Sequence, residues 1–600
     1  MDKLTDFHPL SRVVLPDVGD LPCKGLTVLV GPNSSGKSQL LRDIHLTLTG
    51  QFRQLVVASL IGVEKPENFE AFMACLEGEG FVKSIVDANG TKSYRPLSSS
   101  VGTGEALPLI QATVLAQQYS NFLPAQSVPP RVGLEFLSFA GRMLVAALFL
   151  DRRLIATNQV QMFDYETAAP QNDLHALYVH KTASIELWQE LMTVFSKAIW
   201  PDASRGTTLS LKVSDKVDAP TADQRLLPAT STRYRSIDTE GDGLKSYVAV
   251  CIALLVGRRP VCLIDEPEMC LHPPQAESLG RFIGEHGTSP DHATFVATHS
   301  SHLLRGILQK TNDLRIVRLR RAAGRFCAHD VSAEDLRAVV AKPTVRADAI
   351  LDGIFAESVM IVEADGDRMV YQAAWRAIRT STDVDVHFAP VGGTGGISDS
   401  ARLYRKLKIP VAVVTDLDVL ADAQKFGIMV ESLSGPADAT RLARLAEQVV
   451  NGVKQQRAMF TETRTSEMLA EMSRRKLDWS RGGDVSLSKE LGELARALNR
   501  VSRLKRGGIR AMDKQLRPAL CTLIREARKI GLFLVHVGEL ENWLRREGIT
   551  VSKERKSEWA MAAAVILESH PPGRADVWKF VRAVGQYLNE TTRPEPRVQS

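Results

Sequence analysis

Two groups of residues in this chain have types and spacings that could do chemistry. The first is Gly31-Pro32-Asn33-Ser34-Ser35-Gly36-Lys37-Ser38, in which the spacing of Gly31 and Gly36 lets the backbone wrap and turn its N–H groups on phosphate. Lys37 is placed to reach terminal phosphates, and the Ser38 hydroxyl to ligate a divalent cation. Asn33, Ser34 and Ser35 complete the phosphate-binding loop. Further along, Asp265-Glu266 supplies one carboxylate to hold Mg²⁺ through water and another, Glu266, to polarise an attacking water as general base. His299, within Thr298-His299-Ser300, places an imidazole where it could donate to a terminal phosphate and register its loss. The second group is acidic: Glu363, Asp367, Asp416 and Asp418. Four carboxylates brought together would repel one another, and oxygen-preferring cations are the usual way to stabilise them. Two Mg²⁺ or Mn²⁺ ions about 4 Å apart would activate a water and stabilise the leaving oxygen of a phosphodiester, with no side-chain nucleophile.

These residues fall where secondary structure would aim them. The aliphatic run Leu26–Val30 predicts a strand before the loop and Gln39–Leu48 a helix after it; a helix N-terminus favours anions. Pro260–Ile264 predicts a buried strand ending at Asp265, and Ala293–Ala297 another ending at Thr298. Glu240-Gly241-Asp242-Gly243-Leu244-Lys245-Ser246-Tyr247 precedes an apolar helix over Val248–Val256 and forms a second anion-binding turn. Later, Ser358–Val362, Val384–Val391 and Pro410–Val414 read as strands, and Arg368–Ile378 and Ser398–Leu407 as helices. This alternation predicts a parallel α/β sheet. Glu363 and Asp367 follow one of its strands and Asp416 and Asp418 another, at the sheet edge where ligands of open α/β sheets bind.

In its order of motifs the first half resembles the ABC-type ATPase heads of the chromosome-maintenance and recombination-repair families. Asp265-Glu266-Pro267-Glu268 followed by Leu271-His272-Pro273 is especially similar to them. The resemblance implies ATP as ligand, with Gly241 and Gly243 as a signature loop that completes the nucleotide site of a second subunit. The loop departs from the more usual Ser-Gly-Gly-Gln form, and no Q-loop glutamine is placed; Gln51 and Gln54 read as exposed. Residues 56–226 are taken as an insertion of helical and β structure with a dimer interface as its role. It has helix-like segments at Leu134–Leu150 and Ala183–Ile199 and breaks at Pro96–Ser100 and Pro124–Pro130.

The second half, with Glu363 and then Asp416-x-Asp418, resembles the Toprim domain of topoisomerases, primases and OLD (overcoming lysogenization defect) nucleases. An ATPase head ahead of it in one chain points to the OLD family, and Val391-Gly392-Gly393 is also similar. The resemblance implies a closing strand, met at Gly531–Val537, and a Gly-x-x-Glu turn that makes Glu541 an outer metal ligand. Glu539 and Glu541 fit a solvated helix start equally well. Ala364 stands where Toprim domains usually have Gly, no metal-site lysine is matched, and Asp365 reads as surface.

The expected architecture is therefore α/β: an ABC-type P-loop head over 1–335, a connector over 336–350, and a Toprim domain opening at 351–436. A helical insertion at 437–529 interrupts that domain, and 530–600 carries its closing strand and a helical tail. The insertion is basic: Arg496, Arg500, Arg503, Lys505, Arg506, Arg510, Lys514, Arg517, Arg525, Arg528 and Lys529 face only Asp513 and Glu526. Such a surface suits phosphate backbones without sequence preference. No apolar run reaches the roughly 18 residues of a membrane span. Met143–Leu150 and Tyr247–Val256 read as buried helix, and the polar start lacks a signal peptide, so a cytoplasmic protein is expected. Seven scattered cysteines without a CxxC pair suggest neither disulfides nor zinc. The expected activity is an ATP-regulated, metal-dependent DNA endonuclease working as a homodimer or higher oligomer, a role in phage defence being an implication of the OLD resemblance alone. An accessory protein is left open. The rival is an ATP-gated DNA-binding or sensing assembly whose Toprim fold is an inactive platform. A topoisomerase is disfavoured, because no tyrosine lies in a recognisable cleavage domain.

Overall fold

A computed structural model describes residues 3–51, 54–97, 109–123, 134–215, 234–322, 324–340, 347–456, 462–474, 483–499, 501–544, 549, 551, 555–569 and 577–593. The break at 124–130, most of that at 96–100 and the last part of the 56–226 segment lie outside the described residues. Contacts divide the chain into two units, Met1–Val340 and Ala341–Ser600.

The first unit is built on a six-stranded sheet. Its order is Arg325–Val331, Leu314–Ala322, Gly25–Val30, Ala293–Ala297, Val261–Asp265 and Val145–Leu148. All but Arg325–Val331 run parallel. The central strands are buried almost from end to end and mostly apolar, so there is no alternation to read. Register aligns their carboxyl ends: Leu29 pairs with Ala297, and Ala297 with Asp265. The loop after Val30, the carboxylates after Ile264 and the histidine after Ala297 therefore emerge on one edge. Smaller antiparallel sheets surround this core, among them Leu10–Leu15 with Gly19–Leu21 and Leu60–Val63, and Ala198–Asp202 with Thr208–Ser214.

Two segments differ from the sequence reading. Met143–Leu150, read as buried helix, is the end of the helix Leu134–Leu144 followed by the strand Val145–Leu148, an outer member of the central sheet. A short apolar run fits either form, and pairing with Val261–Ile264 decides it. Ala183–Ile199 likewise divides into the helix Lys181–Phe195 and the strand that starts at Ala198, with Ser196 in the left-handed region between them.

The second unit holds a four-stranded, all-parallel sheet in the order Val386–Pro390, Ser358–Val362, Val411–Thr415, Leu532–Leu534. The helices Asp365–Ile378, Lys556–Ser569 and Val577–Thr592 pack together against one side, where Tyr371, Trp375, Trp543, Trp559, Trp578 and Phe580 fill the core. Gly585 lets two of these helices close, since a Cβ there would lie 2.1 Å from the Trp375 ring. The helix Thr394–Lys406 lies against Ser358–Val362 and Val411–Thr415. Between the third and fourth strands the chain makes the helices Ala423–Leu433, Pro436–Gln455, Glu462–Arg474, Gly483–Leu498, Ser502–Gly507 and Arg517–Lys529. Among the described helices, none is long and apolar enough to cross a membrane.

Candidate functional site

At the first edge, the strand Gly25–Val30 breaks at Gly31, whose φ of +135° and close approach admit no side chain: a Cβ would sit 2.1 Å from the Leu319 carbonyl oxygen. The chain turns through Pro32 to Gly36, the N-cap of the helix Lys37–Leu48. Asn33 and Ser34 are exposed and Ser35 is buried. The buried Lys37 ammonium curls into the loop and donates to the carbonyls of Gly31 at 2.8 Å and Pro32 at 2.9 Å. Burial pulls its pKa down to about 7 against the opposing charges of Glu266, Glu268 and Asp265. Phosphate oxygens would replace those carbonyls and add the counter-charge the ammonium lacks.

Lys37, Ser38, Asp265, Glu266 and His299 come together. The Ser38 hydroxyl hydrogen-bonds Asp265, whose carboxyl is raised by burial. The Oδ1 atom of Asp265 is buried without a hydrogen-bond partner, as suits an oxygen whose partner is a bound cation with its waters. Burial, and then Lys37, lower the His299 pKa to about 4, so the ring is neutral. Its Nδ1 accepts from Lys37 at 3.3 Å while its Nε2 donates to Glu266 at 3.2 Å. A hydrogen-bond relay thus runs from the lysine to the carboxylate that would polarise water. The donors and acceptors fit a magnesium nucleotide.

Two residues the sequence reading gave no role support this relay. Glu268 is half-buried and accepts from the Thr298 hydroxyl at 2.8 Å and the His299 backbone N–H at 2.7 Å, which fixes where the imidazole starts. The fully buried Arg153 donates to the carbonyls of Leu148, Asp265 and Glu266 and to the Ser246 hydroxyl. Glu266 itself is in the left-handed region, with φ of +46°. The spacing Asp265-Glu266-Pro267-Glu268 hinted at Glu268; nothing local to Arg153 signals its role. Gly241 caps the helix Asp242–Val256 and is exposed, with open space where a Cβ would stand. Gly243 is packed, because a Cβ there would meet the Cys270 carbonyl at 2.4 Å. Gln51 and Gln54 are exposed.

In the second unit a cleft of about 330 Å³ opens at the carboxyl ends of the strands, lined by Glu363, Asp367, Asp416, Lys505, Glu541 and Lys556, with Asp365 and Gly392 among its other walls. Glu363 follows Val362 and accepts from the Thr415 hydroxyl at 2.8 Å. Asp367, in the first turn of the helix Asp365–Ile378, accepts from the Ala364 N–H at 2.9 Å. Burial, with Glu363 and Glu541 nearby, pushes the Asp367 pKa up to about 6. Asp416 is raised well above the carboxylate range by burial and by Glu363, with Lys505 acting against both. Glu541 is 4% exposed, so it is no part of a solvated helix start; the exposed Lys556 reaches it at 3.4 Å. Asp365, read as surface, sits on the cleft wall and pairs with Arg368 at 3.5 Å.

Lys505 is the largest difference from the sequence reading, which placed it in a run of surface cations. Its ammonium lies 2.5 Å from Asp418 and 3.6 Å from Asp416. Burial alone would lower its pKa, but the hydrogen bond to Asp418 and the charges of both aspartates hold it raised. Asn542 clamps it there, its side-chain amide donating to the carbonyls of Lys505, Arg506 and Val537 at 3.0, 3.2 and 3.1 Å. Of the rest of the run, Arg506, Arg510, Lys514, Arg517, Arg525 and Lys529 are exposed, while Arg503 and Arg528 are half-buried. The Arg496 side chain and Arg500 lie outside the described residues. The acidic wall offers only oxygen donors that disfavour one another's charge, which fits a divalent cation. Among the described residues no three His, Cys, Asp or Glu side chains converge closely enough to hold an ion as they stand.

Residues 354–418 match the family described as Overcoming lysogenization defect protein-like, TOPRIM domain. Residues 172–305 match the AAA domain family named for the AbiEii toxin, Type IV TA system. A curated relative, the "OLD nuclease" of Thermus scotoductus, is 24% identical over 441 residues, 67% of this chain and 79% of the relative. Solved head domains align over about half of the chain. The SmcHead bound to the C-winged helix domain of ScpA shares 12% identity over 55% of this chain and 99% of its own, at a TM-score of 0.31. The SMC head domain from Thermotoga maritima shares 12% over 54% and 99%, at 0.27. At such scores the likeness carries no weight, and the fold rests on the strand order and register above. With the phosphate-binding loop, the aligned Asp265, Glu266 and His299, and the acidic cleft that follows them in the same chain, these matches show one chain that joins an ATPase domain to an OLD-like Toprim domain.

Proposed function

We propose that this chain is an ATP-regulated, divalent-metal-dependent DNA endonuclease whose two activities lie in its two units. The observation that carries the nuclease half is the cleft in which Glu363, Asp367, Asp416 and Glu541 face Lys505. A divalent cation bound there would supply an activated water and charge stabilisation for the leaving oxygen. The chain's own part is to hold it through Glu363, Asp367, Asp416, Asp418 and Glu541, and to offer the Lys505 ammonium to a phosphate once the aspartates turn to the cation. Mg²⁺ is the ion proposed, with Mn²⁺ as a substitute. The exposed cations of the helix Arg517–Lys529 and the segment before it would grip the phosphate backbone without reading sequence.

In the first unit the loop from Gly31 to Ser38 binds ATP, Asp265 and Ser38 hold its Mg²⁺, and Glu266 orients the attacking water with His299 fixing its carboxylate. Gly241, open to solvent at a helix N-terminus, completes the site of a second copy, with Gly243 holding the turn beside it. Two copies are therefore the smallest active assembly. A cytoplasmic role in defence against phage accords with the OLD resemblance, and an accessory partner protein is compatible with it.

One observation favours a second reading. Lys505 already neutralises Asp418, and a lysine that stays there would leave the Toprim fold an ATP-gated DNA-binding platform that cuts nothing. Incubating supercoiled plasmid with Mg²⁺ or Mn²⁺ and the wild type, Asp418→Ala or Lys37→Ala separates the two. The nuclease reading expects nicked or linear products from the wild type and none from Asp418→Ala; identical products from both defeat it.

A further inference from the structure

Burying a guanidinium is unfavourable unless its donors all find acceptors. Arg153 is 0% exposed, and its hydrogen bonds run to backbone carbonyls and one hydroxyl. Nη1 donates to the Leu148 carbonyl at 2.8 Å and to that of Asp265, Nη2 to the Glu266 carbonyl at 3.0 Å, and Nε to Ser246 Oγ at 2.8 Å. One planar group therefore joins the end of the strand Val145–Leu148, the peptide units of both catalytic carboxylates and the helix Asp242–Val256. Ser246, also 0% exposed, stands five positions after Gly241, little more than one turn into that helix. The Glu266 end of the link is equally constrained: the residue takes a left-handed φ of +46°, its N–H donates to Ala297 O at 2.8 Å, and Arg153 holds its carbonyl.

We propose that Arg153 is a positioning residue that couples the signature helix to the backbone of Asp265 and Glu266, so that docking of Gly241 on a second copy's nucleotide is felt at the first copy's own water-orienting carboxylate. The inference rests on the paired-head reading above. In that arrangement each chain lends its signature turn to its neighbour's site while keeping Asp265 and Glu266 for its own. A link within one chain thus becomes a coupling between two sites, which is reciprocal in binding free energy. Arginine suits the task because its rigid fork spans several acceptors at once; a lysine offers a single point and cannot reach both the hydroxyl and the carbonyls.

The test measures ATP turnover against ATP concentration with full-length wild type, Lys37→Ala, Ser246→Ala, Ser246→Thr and Arg153→Lys. Ser246→Ala leaves the three carbonyl bonds of Arg153 intact and removes only the link to the helix. The expected result is a kcat about tenfold lower with KM for ATP within about twofold, and a Hill coefficient reduced to one. Arg153→Lys should behave alike, and Ser246→Thr, which keeps the hydroxyl, should restore both rate and cooperativity. A Ser246→Ala protein with wild-type kcat and Hill coefficient overturns the inference while leaving the ATPase reading intact. So does a pattern in which Ser246→Ala and Arg153→Lys lower only the thermal midpoint, or a wild type without cooperativity. A wild type no faster than Lys37→Ala overturns the ATPase reading and this inference together.

Discussion

The ATP edge and the acidic cleft use the same layout, strand-end side chains on a parallel sheet, yet they are held in opposite ways. At the first edge most polar groups, Asp265 Oδ1 apart, have an internal partner: Lys37 is caged by loop carbonyls, His299 bridges it to Glu266, and Glu268 and Arg153 pin the backbone beneath. In the cleft the carboxylates disfavour one another, and Lys505 relieves Asp416 and Asp418 alone. The first site is organised before its ligand arrives, and a ligand exchanges one set of hydrogen bonds for another. The second holds buried carboxylates whose charge a bound cation, or a proton, would relieve.

The largest expected effects test whether the two regions are separate machines. Lys37→Ala should lower ATP turnover by about 10²-fold or more. Asp416→Ala should lower cleavage by at least ~10²-fold while ATP turnover stays within about twofold of wild type. A proportionate fall of both activities in Asp416→Ala would erase the distinction. A smaller effect concerns the burial of these carboxylates and, after it, their mutual repulsion. The Asp367 pKa is raised from 3.8 to about 6 in the folded unit. The folded state thus keeps a proton that the unfolded chain gives up, and its contribution to stability is full below pH 3.8 and lost as pH rises through about 6. Asp416 shifts in the same direction. In EDTA the second unit should therefore melt at lower temperature at pH 7 than at pH 5. Asp367→Asn should raise the pH 7 midpoint by about 2–4 °C, and Mg²⁺ should stabilise the wild type more at pH 7 than at pH 5. Equal midpoints at both pH values would mean that their charge costs the fold nothing. The smallest change is expected at the self-satisfied edge. Glu268→Gln keeps the shape and weakens the grip on Thr298 and His299, so kcat for ATP should drop by roughly threefold to tenfold with little change in KM.

What could be read from the sequence was whatever lies close together along it. The loop from Gly31 to Ser38, Asp265-Glu266 and the Asp416-x-Asp418 pair each carry strand, turn and ligand within a few residues, and the structure brings them to the sheet edges expected. Lys505 was hidden because it lies 87 residues from Asp418 and is recruited by Asn542 through backbone carbonyls, a contact without a sequence signature. Arg153, 112 residues from Asp265, was hidden for the same reason and because the strand before it reads as helix. Glu541 had an even claim to solvent until the packing around Trp543 buried it.

The order of strands in the second sheet has a consequence for synthesis. The fourth strand, Leu532–Leu534, pairs with Val411–Thr415 only after more than a hundred intervening residues have left the ribosome. Glu541 and the helix bearing Lys556 come later still. Such long-range pairing is slow and cannot begin early. A nascent chain, or one broken anywhere in the intervening helices, carries Asp416 and Asp418 without the parts that finish the cleft. On the proposed reading, the parts of the ATPase have all been made by Val340, whereas the DNA-cutting centre waits for Glu541, about two hundred residues later.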